Sequence, residues 1–199
     1  YYTDYIDLES FADQWLFYEL NEENSVNSSV YYYKDSDICG DGKLHASWPW
    51  DMEHSLAREG GAASSWFAAA SDLKPESYWM QFYHHRDFAE AVYKEWMTKF
   101  VPALEKALNP VTGYDPDGIS SLDWYLGYYG TDAQINESRW NGSGFAEKLE
   151  KIRRIYTVRL DFLTEALGLY DTDYIYFYKE NGILYGVNAQ EESIPVENP

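Results

Sequence analysis

The feature that most constrains the fold is a long apolar repeat near the end of the chain. From Phe145 to Leu167, apolar residues recur at steps of three or four, the spacing that places side chains on one face of an α-helix. The repeat consists of Phe145, Leu149, Ile152, Tyr156, Leu160, Leu163 and Leu167. It predicts an amphipathic helix that must bury this face against other elements.

Weaker patterns predict the remaining helices. A first helix is expected over 7–20, with Asp7 as its N-cap. A second is expected to begin at Asp87 and to be kinked or divided at Pro102, because proline removes a backbone donor and its ring clashes with the preceding turn. A third is expected over 119–137. The chain is therefore predicted to be mostly helical.

Aromatic and β-branched segments predict two β-hairpins. The first joins 29–35 to 43–48, and the second joins 174–179 to 183–187. No strand–helix–strand alternation supports a parallel sheet, so the expected class is α+β. We expect one domain over 1–190, followed by a flexible polar tail over 191–199.

Composition excludes several partners. The 199 residues include 15 Lys and Arg against 34 Asp and Glu, a formal net charge of −19. This surface is a poor match for nucleic acid or an anionic membrane, and no apolar run is long enough to span a bilayer. Cys39 is the only cysteine, so an internal disulfide is impossible. Acidity combined with a high aromatic content favours a secreted protein.

The sharpest candidate metal site lies in the turn after the first hairpin. Asp51 and Glu53 stand two residues apart behind Trp48 and Pro49. Hard carboxylate oxygens suit Mg²⁺ or Mn²⁺, which accept one or two carboxylates and keep several waters. His54 is a possible third ligand. An ordinary acidic surface turn is the competing interpretation.

A second acidic group, Glu22 and Glu23, lies in the loop before the same hairpin. Because a hairpin brings its outer ends together, this loop and the Asp51 turn are expected to be neighbours. Phosphoryl transfer needs such a pair, one acid that orients the nucleophile and another that holds the metal. Asn27 follows Glu22 at the offset that protein kinases use for a metal-binding Asn. Two further interpretations stay open, a solvated acidic loop and a two-carboxylate glycosidase.

Taken in order, several segments resemble the spore-coat protein H (CotH) kinase family. The matching segments are IDLESFADQWLFYEL (6–20), SSVYYYKD (28–35), DGKLHASWPWDMEHSL (41–56), FYHHRDFAEAVYKEWM (82–97) and LEKIRRIYTVRLDFL (149–163), the last of which contains Arg159. Their order and spacing carry the resemblance, which runs through most of the chain.

The resemblance implies a divergent protein-kinase-like fold, of which this chain would be the C-terminal lobe with two β-hairpins. Asp51 would hold Mg²⁺ or Mn²⁺ with ATP, and Glu53 would take the second acidic place of the turn. Many members have Asp as catalytic base in the 22–24 loop, where this chain offers Glu22, Glu23 or Asn24. The family's N-terminal nucleotide lobe would precede Tyr1, so the chain alone is expected to be inactive.

Two functions follow as hypotheses. The first is an atypical ATP- and metal-dependent protein kinase that acts on a protein substrate at the cell or spore surface. The second is a non-catalytic module of an extracellular, cellulosome-like assembly, with a protein or polysaccharide partner. The altered base favours the second, and Asp51 favours the first.

Overall fold

The structure is a computed structural model that describes residues 1–23, 30–56, 63, 82–140, 144–174, 176–188, 190 and 192–196. Its helices are α1 (Leu8–Asn21), α2 (Arg86–Glu95), α3 (Val101–Leu108), α4 (Leu122–Trp140) and α5 (Phe145–Leu167). Its strands are β1 (Tyr32–Lys34), β2 (Leu44–Ala46), β3 (Tyr176–Glu180), β4 (Ile183–Val187) and β5 (Ser193–Pro195). The predicted α+β class is confirmed.

Helix α1 begins where the sequence predicts. The Asp7 carboxylate accepts a hydrogen bond of 2.9 Å from the Ser10 amide, which satisfies one of the unpaired donors of the first turn. The preceding residues pair with β2, since the Asp7 amide donates to the Leu44 carbonyl and the Leu44 amide donates to the Tyr5 carbonyl. These bonds fix the first hairpin across the start of α1.

Helix α2 differs from the prediction at its start. Its N-cap is His85, and Asp87 lies inside the first turn, where its carboxylate accepts from the Tyr2 hydroxyl at 2.6 Å. A carboxylate in a first turn is favoured by the helix dipole, and the bond to Tyr2 holds it there. The expectation that Asp87 caps the helix is therefore wrong.

A π-helical segment interrupts the α-helical pattern just before Pro102, where a kink or division was predicted, and the chain stays helical through it. Residues Trp96–Phe100 form this π segment between α2 and α3, and the Val101 amide donates to the Trp96 carbonyl, five residues back. A wider turn relieves the clash that a proline ring makes with the carbonyl four residues before it. The π segment also sets the orientation of Lys99, which lies within it.

The main core forms where α1 packs across α2 and where α5 packs against α2, α3 and α4. Its largest buried side chains are Trp15, Leu16, Tyr18, Phe88, Trp96, Phe162, Leu163 and Phe177. The Trp96 indole N–H donates to the Thr164 hydroxyl at 3.0 Å, which ties the π segment to α5. This core holds both hairpins in place, because Ala46 of β2 and Phe177 of β3 belong to it.

The second predicted hairpin is confirmed and extends to a third strand. Asn181 and Gly182 both have positive φ, the geometry of a tight hairpin turn between β3 and β4. Antiparallel pairing then continues from β4 to β5, with Gly186 opposite Ile194. Ser193–Pro195, which lie within the predicted flexible tail over 191–199, form this strand and pair with β4.

None of the helices in the described ranges is both long enough and apolar enough to cross a membrane.

Candidate functional site

The acidic loop after α1 is tightly built. Glu22 adopts a left-handed conformation with φ of 53° and closes the helix. The Glu23 amide donates to the Tyr18 carbonyl at 3.1 Å. Both glutamate side chains are fully buried. Neither therefore presents an accessible carboxylate, as a base acting on a bound substrate would have to do.

The turn after β2 is exposed to solvent, in contrast to the buried glutamates of the acidic loop. Asp51 is exposed and adopts a positive φ of 61°. Glu53 and His54 are also exposed, and the His54 Nε2 lies 3.4 Å from a Glu53 carboxylate oxygen. The side chains of Trp48 and Trp50 project into solvent on the same segment. The turn therefore displays carboxylates and indole rings together.

These two segments are in contact, as the hairpin topology predicts. The Ser55 hydroxyl donates to the Glu23 carboxylate at 2.8 Å, and the Leu56 amide donates to the Asn21 carbonyl at 2.7 Å. The contact joins the acidic loop to the far end of the Asp51 turn. Asn27, the predicted cofactor-binding residue, lies outside the described residues.

Asp51 and Glu53 expose carboxylates, the donor type that Mg²⁺ and Mn²⁺ prefer. Two exposed carboxylates can supply part of an octahedral Mg²⁺ shell, and phosphate oxygens and water commonly complete such shells. The described ranges contain two groups of three potential ligand atoms within 4.8 Å of one another, and neither includes Asp51 or Glu53. One group is Asp7, Asp41 and His45, and the other is Glu9, Asp13 and Glu95.

The second of these groups surrounds a lysine that sequence reasoning missed. The Lys99 ammonium lies 2.7 Å from Glu9, 2.9 Å from Asp13 and 2.7 Å from Glu95. Burial opposes the charged form of Lys99, but hydrogen bonds to the carboxylates outweigh it and raise the lysine pKa. The spacing of Glu95 and Lys99, four residues apart on one helical face, is the one local signal that could have indicated this pairing.

The surroundings shift the pKa values of Asp13 and Glu9 in opposite directions. Burial raises the pKa of Asp13 despite its hydrogen bond to Lys99. The bond from Lys99 lowers the pKa of Glu9, which is more exposed. The group joins α1 to the π segment through charged hydrogen bonds.

A cavity of about 460 Å³ opens beside this group, between α1, the first hairpin and the π segment. Polar side chains at its wall include Asp13, Gln14 and Lys99. Rings at the wall come from Phe17, Tyr33, Trp48 and Phe100. The cavity shares Trp48 and Pro49 with the segment that leads to the Asp51 turn.

Family models, curated proteins and solved structures were all compared with the chain, and none of them matches it.

Proposed function

We propose that the chain is a CotH-like, kinase-related extracellular domain in which the Asp51 turn binds a divalent cation together with the phosphates of ATP. The contact between the Glu23 loop and the Asp51 turn carries the proposal. Kinase-like phosphoryl transfer requires an acidic loop and a metal-binding acid side by side, and the Ser55–Glu23 hydrogen bond of 2.8 Å links those segments.

Asp51 and Glu53 are the proposed ligands, because both expose carboxylate oxygens on one turn. A bound Mg²⁺ or Mn²⁺ would neutralise the charge of the nucleotide phosphates. Asp51 is the primary ligand in this proposal. Glu53 contributes directly or through water, since Mg²⁺ commonly keeps several waters.

The burial of Glu22 and Glu23, the proposed bases, favours nucleotide binding without efficient phosphoryl transfer. A general base must reach the proton that it removes. Both carboxylates are buried, and Glu23 accepts the Ser55 hydroxyl bond. We therefore propose that the described arrangement binds metal–nucleotide and does not turn it over at the rate of an active kinase.

The second candidate function is a non-catalytic module that binds a protein or polysaccharide in a secreted assembly. The exposed rings near the Asp51 turn favour it. Trp48 and Trp50 are exposed, and Tyr31 meets Trp50 edge to face with ring centroids 6.2 Å apart. Exposed rings of this kind can stack on sugars or anchor a protein partner.

Isothermal titration calorimetry of the full chain with Mg²⁺–ATP and Mn²⁺–ATP tests the first proposal. Asp51→Asn is the best variant, because asparagine tolerates the positive φ and removes only the charge. Asp132→Asn on α4 is the matched control, since Asp132 is also exposed. We expect metal-dependent binding that Asp51→Asn weakens by about tenfold or more, since loss of even an outer-shell partner of a metal ligand costs that much. Asp132→Asn should leave binding unchanged. Absence of binding by the unmutated chain would overturn the proposal.

Radiolabel transfer from ATP to the chain itself or to a generic protein acceptor separates binding from catalysis. We expect bound nucleotide and negligible transfer. Titration with soluble plant polysaccharides tests the carbohydrate form of the second candidate, which fails if no heat is released.

A further inference from the structure

We propose that the cavity between α1, the first hairpin and the π segment binds an organic cation, an ammonium or guanidinium group carried on an aliphatic stem. The inference is independent of the Asp51 site. Three features support it: the carboxylates of Glu9 and Glu95 behind the Asp13–Lys99 pair at the wall, the buried acceptors without partners among the described residues, and the rings that line the opening.

The charge beside the cavity is negative. Three carboxylates, from Glu9, Asp13 and Glu95, surround the single ammonium of Lys99 at 2.7–2.9 Å. Together these four groups carry two excess negative charges when all are ionised. A positively charged guest reduces this excess, whereas an anion increases the repulsion. The chain's net charge of −19 favours the same sign of ligand at longer range.

The hydrogen-bonding capacity also selects a donor. Gln14 is only 3% exposed and lines the cavity. Its amide nitrogen donates to the Ser47 carbonyl at 3.1 Å, whereas its Oε1 has no hydrogen-bond partner among the described residues. Asp13 Oδ1 is buried and likewise has no partner within those residues. Both oxygens have almost no solvent-accessible surface, so a guest bonds to them only after these side chains rotate toward the cavity.

Lys99 does not compete for such a ligand's acceptors. Its ammonium already donates hydrogen bonds to Glu9 and Asp13 and forms an ion pair with Glu95 at 2.7 Å, so little of its bonding capacity remains. The cavity therefore offers acceptors rather than donors on its acidic side. A neutral sugar could use those acceptors but would leave the excess charge uncompensated.

The rings at the cavity complete the match. Trp48 is 86% exposed and Tyr33 is also exposed, while Phe17 and Phe100 form a more buried wall. An aromatic face attracts an ammonium or guanidinium group, and tryptophan does so most strongly. The aliphatic stem of the guest can pack on the same rings. A volume of about 460 Å³ is large enough for a chain the size of a lysine or arginine side chain.

Calorimetric titration of the full chain tests the proposal. The probes are spermidine, for a free amine, and a blocked tetralysine peptide, for a side-chain source. Cellotetraose is the neutral comparison. We expect one cation per chain at the cavity, with affinity that falls as salt is added, and no heat from cellotetraose. Tight binding of only one of the two cations identifies the source.

Two variants test the site and two serve as controls. Trp48→Ala removes an exposed ring on which the core does not depend, and Asp13→Asn removes a wall carboxylate. Trp140→Ala and Asp132→Asn make the same changes on α4, which does not line the cavity. We expect the first pair to weaken cation binding by about tenfold, as the loss of one cation–π or charged contact predicts. The control pair should stay within about twofold.

Three outcomes would overturn the proposal. The first is no cation binding. The second is equal weakening by the site and control variants, because that result indicates diffuse attraction to an acidic surface. The third is cellotetraose binding that Trp48→Ala abolishes. Circular dichroism verifies the fold of each variant. If Asp13→Asn unfolds, the Trp48→Ala result decides alone. Mg²⁺–ATP titration of Trp48→Ala keeps a failure here distinct from a failure at Asp51.

Discussion

At the scale of single residues, the most demanding feature is a buried ion pair between α1 and α5. Glu19 and Arg159 are both fully buried, and their carboxylate and guanidinium groups lie 2.6 Å apart. Arg159 also donates to the Glu19 carbonyl at 2.5 Å and to the Ala63 carbonyl at 3.0 Å. Such a pair adds little net stability, but removal of one partner leaves the other charge buried without its counter-ion.

This asymmetry predicts the behaviour of variants of the pair. Glu19→Gln should lower the free energy of unfolding by about 3 kcal/mol or more, because a buried guanidinium loses its counter-charge. The double variant Glu19→Leu with Arg159→Met should recover part of that loss. Urea unfolding followed by circular dichroism measures both. Glu90→Gln, at an exposed position on α2, is the control and should change little. A double variant less stable than Glu19→Gln would contradict this account.

At the scale of elements, the π segment decides how α1 and α2 are linked. It carries Lys99 toward Glu9 and Asp13 of α1, about two turns of helix after the α2 residues that form the core. The same ammonium reaches Glu95 on its own helix. One side chain therefore joins carboxylates of two helices that would otherwise repel one another.

Replacement of Lys99 by Met tests this link. We expect a loss of about 1 kcal/mol at pH 7, the upper end for an exposed pair, because Lys99 is partly solvated. Without the ammonium, the carboxylates repel one another, and the pKa values of Glu9 and Asp13 rise in the folded state because both lose the hydrogen bond from Lys99. The loss is then present above those raised values and disappears as pH falls through them. Thermal unfolding at pH 7 and pH 4.5 measures the difference.

Lys94→Met is the matched control for Lys99→Met. Lys94 lies 3.5 Å from Glu95 but is more exposed than Lys99. Lys94→Met should lower the free energy of unfolding at pH 7 by less than Lys99→Met does, and acidification should recover little of that loss. An equal cost at both pH values for Lys99→Met would mean that packing of its stem, rather than its charge, is what matters.

The sequence correctly predicted those elements whose boundaries depend on residues close by in the chain. Helix α1 with its Asp7 cap follows from nearby residues, and so does the repeat of α5. The pairing of β5 with β4 was missed, because the hydrogen bonds that order residues 193–195 come from another strand. Pro102 indicated a break in the helix, but the π form also involves the packing of Trp96 against α5.

The candidate site divides in the same way. Hairpin topology predicted that the Glu23 loop and the Asp51 turn meet, and they do. The complete burial of Glu22 and Glu23 depends on packing that no local pattern encodes. The Lys99 group joins residues 86 and 90 positions apart, so no short motif announces it.

At the scale of the whole molecule, buried tyrosines limit stability in alkaline solution. Burial raises the pKa of Tyr156 to about 12, and its hydroxyl donates to Asn21 at 2.7 Å. Burial likewise raises the pKa of Tyr83 and of Tyr2. In the unfolded chain these groups titrate near pH 10. Folding therefore retains protons that unfolding releases, and stability falls as pH rises above about 10.

Tyr156→Phe tests the share of one residue in this decline. At pH 7 the variant should lose about 1 kcal/mol with its hydrogen bond to Asn21. Between pH 10 and 12 its stability should fall less steeply than that of the unmutated chain, by about 2 kcal/mol in total, since two pKa units separate the folded and unfolded states. Tyr5→Phe, at an exposed ring, is the control and should follow the unmutated curve. Chemical unfolding of the unmutated chain and of both variants at pH 7, 10 and 12 gives one curve of stability against pH for each protein. If the stability of all three proteins declined in parallel, Tyr156 would lose its proton at the same pH as an exposed tyrosine, which would contradict the prediction.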